Sequence, residues 1–273
     1  MGLGRSFSLG TPALRRFAGS IRRSDYDRYL EILAKFLDRD DARRAAEVMG
    51  RLWAHGLRAC ALTGSLGLEA QIISNGRTPR RRRLNDLDFV VEEFDAIPSA
   101  LADEFLVHHV HPEAPRGKLL LQLVDRDRAL RIDLFRAFGA TMSRARTLPG
   151  PLAPLRRVVS IEDLAARYTS HVYAHLLENH PVERKHAQAF LRLARFDTFK
   201  SIDRNDAWHD HRQGLNESFV EACRTAEHLL GLRPDLLFQQ KYSGVVLPCD
   251  RCVNHGPFRR ADPALIVDSL GYW

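Results

Sequence analysis

Three aspartates with apolar neighbours have the spacing of a carboxylate metal site. Asp86 and Asp88 are two residues apart, so a β-strand would point both side chains to the same face. Asp133 lies in a second apolar run, 129–135, which also has the pattern of a strand. Side-by-side carboxylates repel each other, and a cation between them relieves that repulsion. If the two strands are neighbours, the three side chains converge, and their hard oxygen ligands predict a Mg²⁺ or Mn²⁺ site.

A second motif, Gly64-Ser65, follows a short apolar run, 59–62, where a buried strand is predicted to turn into a helix. Backbone amides at a helix N-terminus favour anions, and Gly64 would let a phosphate approach the backbone closely. Ser65 adds a hydroxyl donor. A Gly-Ser turn or an Asp-x-Asp is weak evidence when taken alone. Their order along this chain, with Asp133 following, favours a combined phosphate and metal site.

The loop between these motifs is strongly basic. Its arginines would neutralise a triphosphate or a nucleic-acid backbone, and the competing interpretation is a solvated run of charge. Since the loop leads directly into the aspartates, we interpret it as functional and assign Arg83 to nucleotide binding. The run consists of Arg77, Arg80, Arg81, Arg82 and Arg83.

This order of motifs, from Gly64-Ser65 through Asp86-Leu87-Asp88 to Asp133, resembles the polymerase-beta-like nucleotidyltransferase superfamily. The resemblance covers residues 59–135. It implies a small mixed sheet flanked by helices, a nucleoside triphosphate substrate such as ATP, and two magnesium ions. Nucleotide and metal binding would then belong to the residues just named, with the three aspartates as the catalytic group.

Two later segments, 159–164 and Arg184-Lys185, are similar to segments that follow the core in bacterial antibiotic nucleotidyltransferases and abortive-infection-type toxin nucleotidyltransferases. The resemblance implies that Lys185 binds the triphosphate. In such relatives an aspartate commonly follows this lysine, and another lies three residues further on. His186 and Ala189 occupy those positions here.

The same resemblance implies the chemistry. Asp86 and Asp88 would hold one metal that helps pyrophosphate to leave, and all three aspartates would hold a second that activates an acceptor hydroxyl. Asp133 is also a candidate proton acceptor. Transfer would join a nucleoside monophosphate to that hydroxyl.

Three functions remain open on these residues. The acceptor could be RNA, such as a tRNA end, as in the toxin group, or a small hydroxyl compound such as an aminoglycoside or lincosamide. The third possibility is a non-catalytic nucleotide- or RNA-binding module, against which the three intact acids argue. The net charge of +7 and the pI of about 9.5 favour RNA, because an acidic pocket suits cationic antibiotics better.

A separate motif near the C-terminus has half the pattern of a zinc knuckle. Cys249 and Cys252 are separated by two residues, and His255 follows. A fourth ligand would have to come from elsewhere in the chain. Structural Zn²⁺ on these three residues therefore competes with a simpler interpretation, a pair of ordinary thiols.

Two histidine pairs also have metal-binding spacing. His109 and His111 would share a face of one strand, and His171 and His175 are four apart on a predicted helix. Packed or surface histidines are more common than ligands, so we assign neither pair to a metal.

The elements that position these residues predict an α/β (α+β) fold, a mixed sheet flanked by helices and followed by a helical lobe. Residues 1–24, with five arginines and no acid, are expected to form a basic flexible arm rather than a transit peptide. The catalytic core with its N-terminal helices would span 25–146, a Pro/Gly-rich linker 147–154, and the helical C-terminal lobe 155–273. Predicted strands are 59–62, 87–91, 105–111, 118–124 and 129–135, and the main predicted helices are 25–36, 41–55, 66–73, 161–178, 182–196 and 217–230.

Composition limits the environment of the protein. Of the 273 residues 45% are hydrophobic, but no apolar run approaches the roughly 20 residues of a membrane span. Four cysteines are too few for a disulfide framework in a chain of this length. We therefore expect a cytoplasmic protein without a membrane partner.

Overall fold

The protein is a mixed α/β structure built on a seven-stranded sheet. The computed structural model describes residues 23–127, 129–194, 196, 201–239 and 249–270. Residues 1–22, most of the predicted basic arm, lie outside the described ranges. The prediction of a mixed sheet flanked by helices is confirmed.

The core begins with two helices and continues with strands and shorter helices. Asp38 starts the second helix by accepting hydrogen bonds from the Asp40 and Asp41 amides at 3.0 and 2.8 Å. Gly56, with φ of 91°, follows its end. The elements are α1 (Arg23–Leu33), α2 (Arg39–Ala54), β1 (Cys60–Leu62), α3 (Gly64–Ser74), β2 (Asp86–Val91), α4 (Leu101–Glu104), β3 (Leu106–Val110), β4 (Leu119–Asp125), β5 (Leu130–Arg136), α5 (Thr141–Arg144), β6 (Arg146–Thr147) and β7 (Arg157–Val158), with 3₁₀ turns at Phe94–Ala96 and Gly150–Leu155.

The strand order of the sheet is β3-β4-β5-β2-β1-β7-β6. β2 and β5 are parallel neighbours, while β3, β4 and β5 form an antiparallel meander. The alternation of side chains along β2 divides its residues between two apolar clusters. Leu87 and Phe89 pack with α1 and α2, whereas Val90 packs with helices of the following lobe. Asp86 and Asp88, in phase with Val90, therefore point towards that lobe.

The helical lobe, described over 161–194, 196 and 201–239, packs against this second face of the sheet. Ser160 starts α6 by accepting a hydrogen bond from the Asp163 amide at 3.0 Å, as its capping pattern predicted. None of the helices in the described ranges combines the length and apolarity that crossing a membrane requires. The elements are α6 (Ile161–Leu177), β8 (Val182–Glu183), α7 (Arg184–Ala194), α8 (Ser201–His211), α9 (Phe219–Leu232) and β9 (Leu237–Phe238), with a 3₁₀ turn at Pro234–Leu236.

The segment predicted as a linker, 147–154, is instead part of the core. It contributes to β6 and to a 3₁₀ turn whose Leu152 and Leu155 are buried. β7 then pairs in parallel with β1, which aligns Val158 with Leu62. The prolines and glycines interrupt regular structure as expected, but the leucines between them have apolar surface to bury.

The C-terminal segment, 249–270, corrects the predicted domain boundary as well. It packs on the edge of the core sheet rather than within the helical lobe. Its Val253 and Ala261 amides donate to β3 carbonyls, at 3.1 and 2.7 Å. The helix α10 (Pro263–Leu270) buries Ile266 against Leu106 and Val124. The segment thereby covers an edge strand whose backbone groups would otherwise lack partners.

Candidate active site

The three predicted aspartates converge at the centre of the sheet. Parallel pairing of β2 with β5 puts Asp88 directly opposite Asp133. One carboxylate oxygen from each of Asp86, Asp88 and Asp133 lies within 4.8 Å of the others. Asp133 is buried, while the other two are half-buried. We call these residues the aspartate cluster. The condition on which the predicted convergence depended, that the two strands are neighbours, is met.

Two neighbours fix the orientation of the cluster. Arg131, opposite Asp86 in the parallel register, donates to its Oδ2 at 3.0 Å. Gln122 on β4, opposite Asp133, donates to its Oδ1 at 2.7 Å. The Gln122 side chain is buried, and His108 contacts its Oε1. Each of these contacts occupies one oxygen, so every carboxylate retains an oxygen for a cation.

Electrostatics within the cluster are unfavourable without a cation. Burial, together with repulsion from Asp86 and Asp133, raises the pKa of Asp88 well above its usual range despite the nearby Arg167 and Lys185. Burial raises the pKa of Asp133 to about 6, against the attraction of Arg131. A raised pKa means that ionising these carboxyl groups is unfavourable in the folded protein. A divalent cation between them would make the ionised forms favourable.

Gly64 and Ser65 lie where β1 turns into α3, next to the cluster. The Thr63 amide donates to the Asp88 carbonyl at 2.9 Å, which joins this turn to β2. Gly64 has φ of 61°, and a Cβ there would lie 1.8 Å from the Asp88 Oδ2. Glycine is therefore required at this position, both for the backbone conformation and for the close approach of the carboxylate.

A cleft of about 850 Å³ separates this edge of the core from the helical lobe. The aspartate cluster, Gly64 and Ser65 line its core side. The predicted nucleotide-binding residues Arg83 and Lys185 both line it as well, from the basic loop and from the start of α7. The Lys185 Nζ lies 3.3 Å from the Glu183 Oε1. A volume of this size is within the ordinary range for ligand sites.

The lobe side of the cleft contains residues that the sequence did not assign. Arg167, His171 and His175 are spaced four apart along α6 and line the cleft together with Tyr168. The Nε2 of His171 lies 3.1 Å from the Nδ1 of His186. The spacing of the α6 residues, three to four apart on a capped helix, could have predicted that they share one polar face. It could not have predicted that this face lies opposite the aspartates.

The basic loop is only partly at the site, contrary to its functional interpretation as a whole. Buried Glu69 accepts from the Arg82 Nε at 2.6 Å and from the Arg80 amide at 2.9 Å. The Arg77 guanidinium stacks over Phe196 at 4.0 Å. Arg81 is exposed and lines a depression beside α1.

Glu69 also joins the two walls of the cleft. It accepts both terminal nitrogens of Arg192 on α7, at 2.5 and 2.9 Å. This bidentate pair between α3 and α7 is supplemented by Arg82, so the charge of Arg82 in the basic loop has an architectural partner.

The predicted zinc ligands are only partly brought together. Cys249 and Cys252 meet His109 and His111, and the four ligand atoms all lie within 4.8 Å of one another. His255 is not among them, because its ring packs edge-on against Phe94 with the centroids 5.1 Å apart. The structure thus replaces His255 with the pair of strand histidines that we had not assigned to a metal.

No protein-family model matches the chain, and no curated protein is significantly similar to it. The chemistry of the cleft therefore has to be argued from its own residues.

Proposed function

We propose that the protein is a metal-dependent nucleotidyltransferase, which moves a nucleoside monophosphate from a nucleoside triphosphate to an acceptor hydroxyl. The observation that carries the proposal is the convergence of Asp86, Asp88 and Asp133 beside the Gly64-Ser65 turn. Carboxylate oxygens are the donors that Mg²⁺ and Mn²⁺ prefer, and the raised pKa values of Asp88 and Asp133 fit a site that a cation completes. When bound, the metal ions would polarise the phosphates and lower the pKa of the acceptor hydroxyl.

The residues of the chain itself divide the remaining work. Ser65 and the α3 amides would hold terminal phosphate oxygens, and Lys185 and Arg83 would neutralise their charge from the facing walls. The acceptor oxygen attacks the α-phosphorus, the bond to pyrophosphate breaks, and Asp133 is the candidate acceptor of the hydroxyl proton.

For the acceptor we favour RNA. The cleft is lined by several cations besides those assigned to the triphosphate, among them Lys118 and Arg167. An acceptor with its own phosphates would use them, in keeping with the net charge of +7. A small amine-bearing hydroxyl compound is the second candidate, since Glu178 and Glu183 also line the lobe side.

The direct test offers the four labelled nucleoside triphosphates with Mg²⁺ to total RNA and, separately, to a panel of small hydroxyl compounds. Transfer of label to RNA is expected. Label on a small compound alone would support the second acceptor class. No transfer to either, with nucleotide still bound, would contradict catalysis and favour a binding module.

Two matched pairs of variants test the binding roles. Arg83→Ser should weaken triphosphate binding and make that binding less dependent on salt, because one of the cations that neutralise the phosphates is removed. Arg81→Ser removes the same charge from the same loop outside the cleft and should change neither. Lys185→Ala should weaken triphosphate binding more than monophosphate binding, with the exposed Arg184→Ala as its control. Equal losses for both nucleotides would place Lys185 away from the phosphates.

A further inference from the structure

Four metal-ligand side chains meet at the edge of the core sheet, away from the cleft. The Nε2 of His111 lies 3.3 Å from the Cys249 Sγ and 3.1 Å from the Cys252 Sγ. The Nδ1 of His109 lies 3.1 Å from the Cys252 Sγ. We call these four residues the His/Cys cluster. All four are partly buried, and none of the cysteines in the chain forms a disulfide.

The spacing of the four atoms matches the edges of a small tetrahedron. With Zn–S of about 2.3 Å and Zn–N of about 2.0 Å, tetrahedral geometry separates a nitrogen from a sulfur ligand by about 3.5 Å. The three distances above are within a few tenths of an ångström of that value. Two thiolates and two imidazoles are also the donor set that favours Zn²⁺ over the hard cations suited to the aspartate cluster.

Local backbone structure explains how each pair of ligands is presented. The pairing of β3 with β4 shifts register between Val107 and His109, so that His108 is an extra residue and His109 aligns with Gln122. His109 and His111 then turn their nitrogens towards the C-terminal segment. That segment supplies its two thiols from one tight turn, and the Val253 amide, directly after Cys252, donates to the Val110 carbonyl at 3.1 Å. The Arg260 Nη1 donates to the Cys249 carbonyl at 3.4 Å, which helps to hold the turn that carries the two thiols.

We propose that His109, His111, Cys249 and Cys252 form a structural Zn²⁺ site that fastens the C-terminal segment to β3. Four protein ligands leave no open coordination position, which is the arrangement of structural rather than catalytic zinc. Phe258 of the segment is buried in the main core cluster, and Ile266 of α10 packs in a small cluster with Leu106 and Val124. A metal cross-link to β3 would stabilise this attachment further.

The test measures metal in the purified full chain, from which any affinity tag has been removed. Elemental analysis should find about one zinc per chain in the wild type, and Cys252→Ser should reduce this to about a tenth or less. Co²⁺ exchanged into the wild type should give the visible absorption of a tetrahedral thiolate site. These wild-type measurements decide the proposal even where the serine variant fails to fold.

Three control variants assign the metal to these residues. Cys223→Ser removes a thiol outside the cluster, and His255→Ala removes the histidine that packs on Phe94, so both should retain zinc. Asp88→Asn should also retain zinc while losing nucleotide transfer, which separates this proposal from the proposed function.

A chelator provides an independent readout, because removing the metal should abolish the hydrogen-exchange protection of the Val253 and Ala261 amides. Wild-type protein without zinc after purification in zinc-containing buffer, or with a Cys249–Cys252 disulfide, would overturn the proposal. Zinc that is lost in Asp88→Asn but kept in Cys252→Ser would overturn it too.

Discussion

Asp163 and the aspartate cluster both lie between the core and the helical lobe, but their carboxylates differ in the partners that surround them. Asp163 at the start of α6 is fully buried and accepts from the Arg144 Nε and Nη2 at 2.9 and 2.6 Å. Thr141 donates to it at 3.0 Å, and the Nε2 of His211 lies 3.0 Å away. Although burial opposes ionisation, the hydrogen bonds from Arg144 and His211 hold the pKa of Asp163 well below its usual range.

In the aspartate cluster the causes that raise the pKa outweigh those that lower it. Burial and mutual repulsion raise the pKa of both Asp88 and Asp133. Arg131 and Gln122 compensate only in part at Asp133, and Arg167 and Lys185 only in part at Asp88. Burial alone therefore does not identify a functional acid. A buried carboxylate whose charge is matched by fixed donors serves the architecture, whereas one crowded by like charges indicates a site that a ligand completes.

The largest expected effect tests this distinction at the cluster. Asp88→Asn should reduce nucleotide transfer on the order of a thousandfold, because several kcal/mol of metal-dependent stabilisation is lost. In metal-free buffer at pH 7 the variant should be as stable as the wild type or more so, because one of the repelling charges is gone. Single-turnover kinetics and chemical denaturation measure the two effects. Exposed Asp127→Asn makes the same charge change and should alter neither, and wild-type transfer by Asp88→Asn would refute the assignment.

The reciprocal change should act on stability. Asp163→Asn removes one of the two carboxylates that pair with the Arg144 guanidinium and leaves Asp210, so the free energy of unfolding should fall by about 2 kcal/mol. Transfer per folded molecule should be retained. The lowered pKa means that Asp163 contributes stability above its unfolded value of 3.8, and that this contribution is lost as pH falls below it. The difference between wild type and variant in urea titrations should therefore shrink below about pH 4. A difference that is constant down to pH 2 would contradict the charge-based explanation.

A pair of glycine variants tests the close approach at the cluster. Gly64 and Gly76 have φ of 61° and 70°. Replacing either one with alanine should therefore lower the free energy of unfolding by about 1 kcal/mol. A Cβ at position 76 has no atom within 4 Å, whereas at position 64 it would displace the Asp88 carboxylate. Gly64→Ala should thus lose activity on the order of tenfold or more, beyond its loss of stability. Equal activities of the two variants would show that the close approach is unimportant.

The smallest expected effect is a shift in melting temperature on Mg²⁺ binding, which depends on pH because protons compete with the cation for the aspartate cluster. At pH 7.5, millimolar Mg²⁺ should raise the melting temperature by about 2–4 °C, as expected for about 1 kcal/mol of ligand stabilisation in a chain of this size. The pKa of Asp133 is raised to about 6, so protonation should diminish the shift at pH 5.5. In metal-free protein the stability contributed by Asp133 should rise as pH falls through 6 towards 3.8, the opposite of Asp163. Differential scanning calorimetry measures the Mg²⁺-dependent shift and the pH dependence of the metal-free protein. A Mg²⁺ shift that persists in Asp88→Asn would place the cation elsewhere.

Several features of the fold were predicted from local patterns. The strands that carry the aspartates lie within a residue or two of their predicted bounds, and the Ser160 cap lies at its predicted position. The prediction of a linker at 147–154 was wrong because glycine and proline indicate where regular structure is interrupted but not where the leucines beside them pack. The C-terminal segment was assigned to the wrong lobe because nothing in its sequence specifies pairing with β3. α8 (Ser201–His211) was not predicted.

The sequence by itself determined which side chains share a face. The two-residue period of a strand pairs Asp86 with Asp88, and the tight spacing of Cys249 and Cys252 fits one turn. Tertiary structure alone decided which of these pairs meet. Asp133 reaches the cluster through the parallel pairing of β2 with β5, and His109 meets a thiol 143 residues further along the chain. The physical reason is that backbone geometry fixes direction within an element, whereas neighbours across a sheet depend on strand order and on how the whole chain buries its apolar surface.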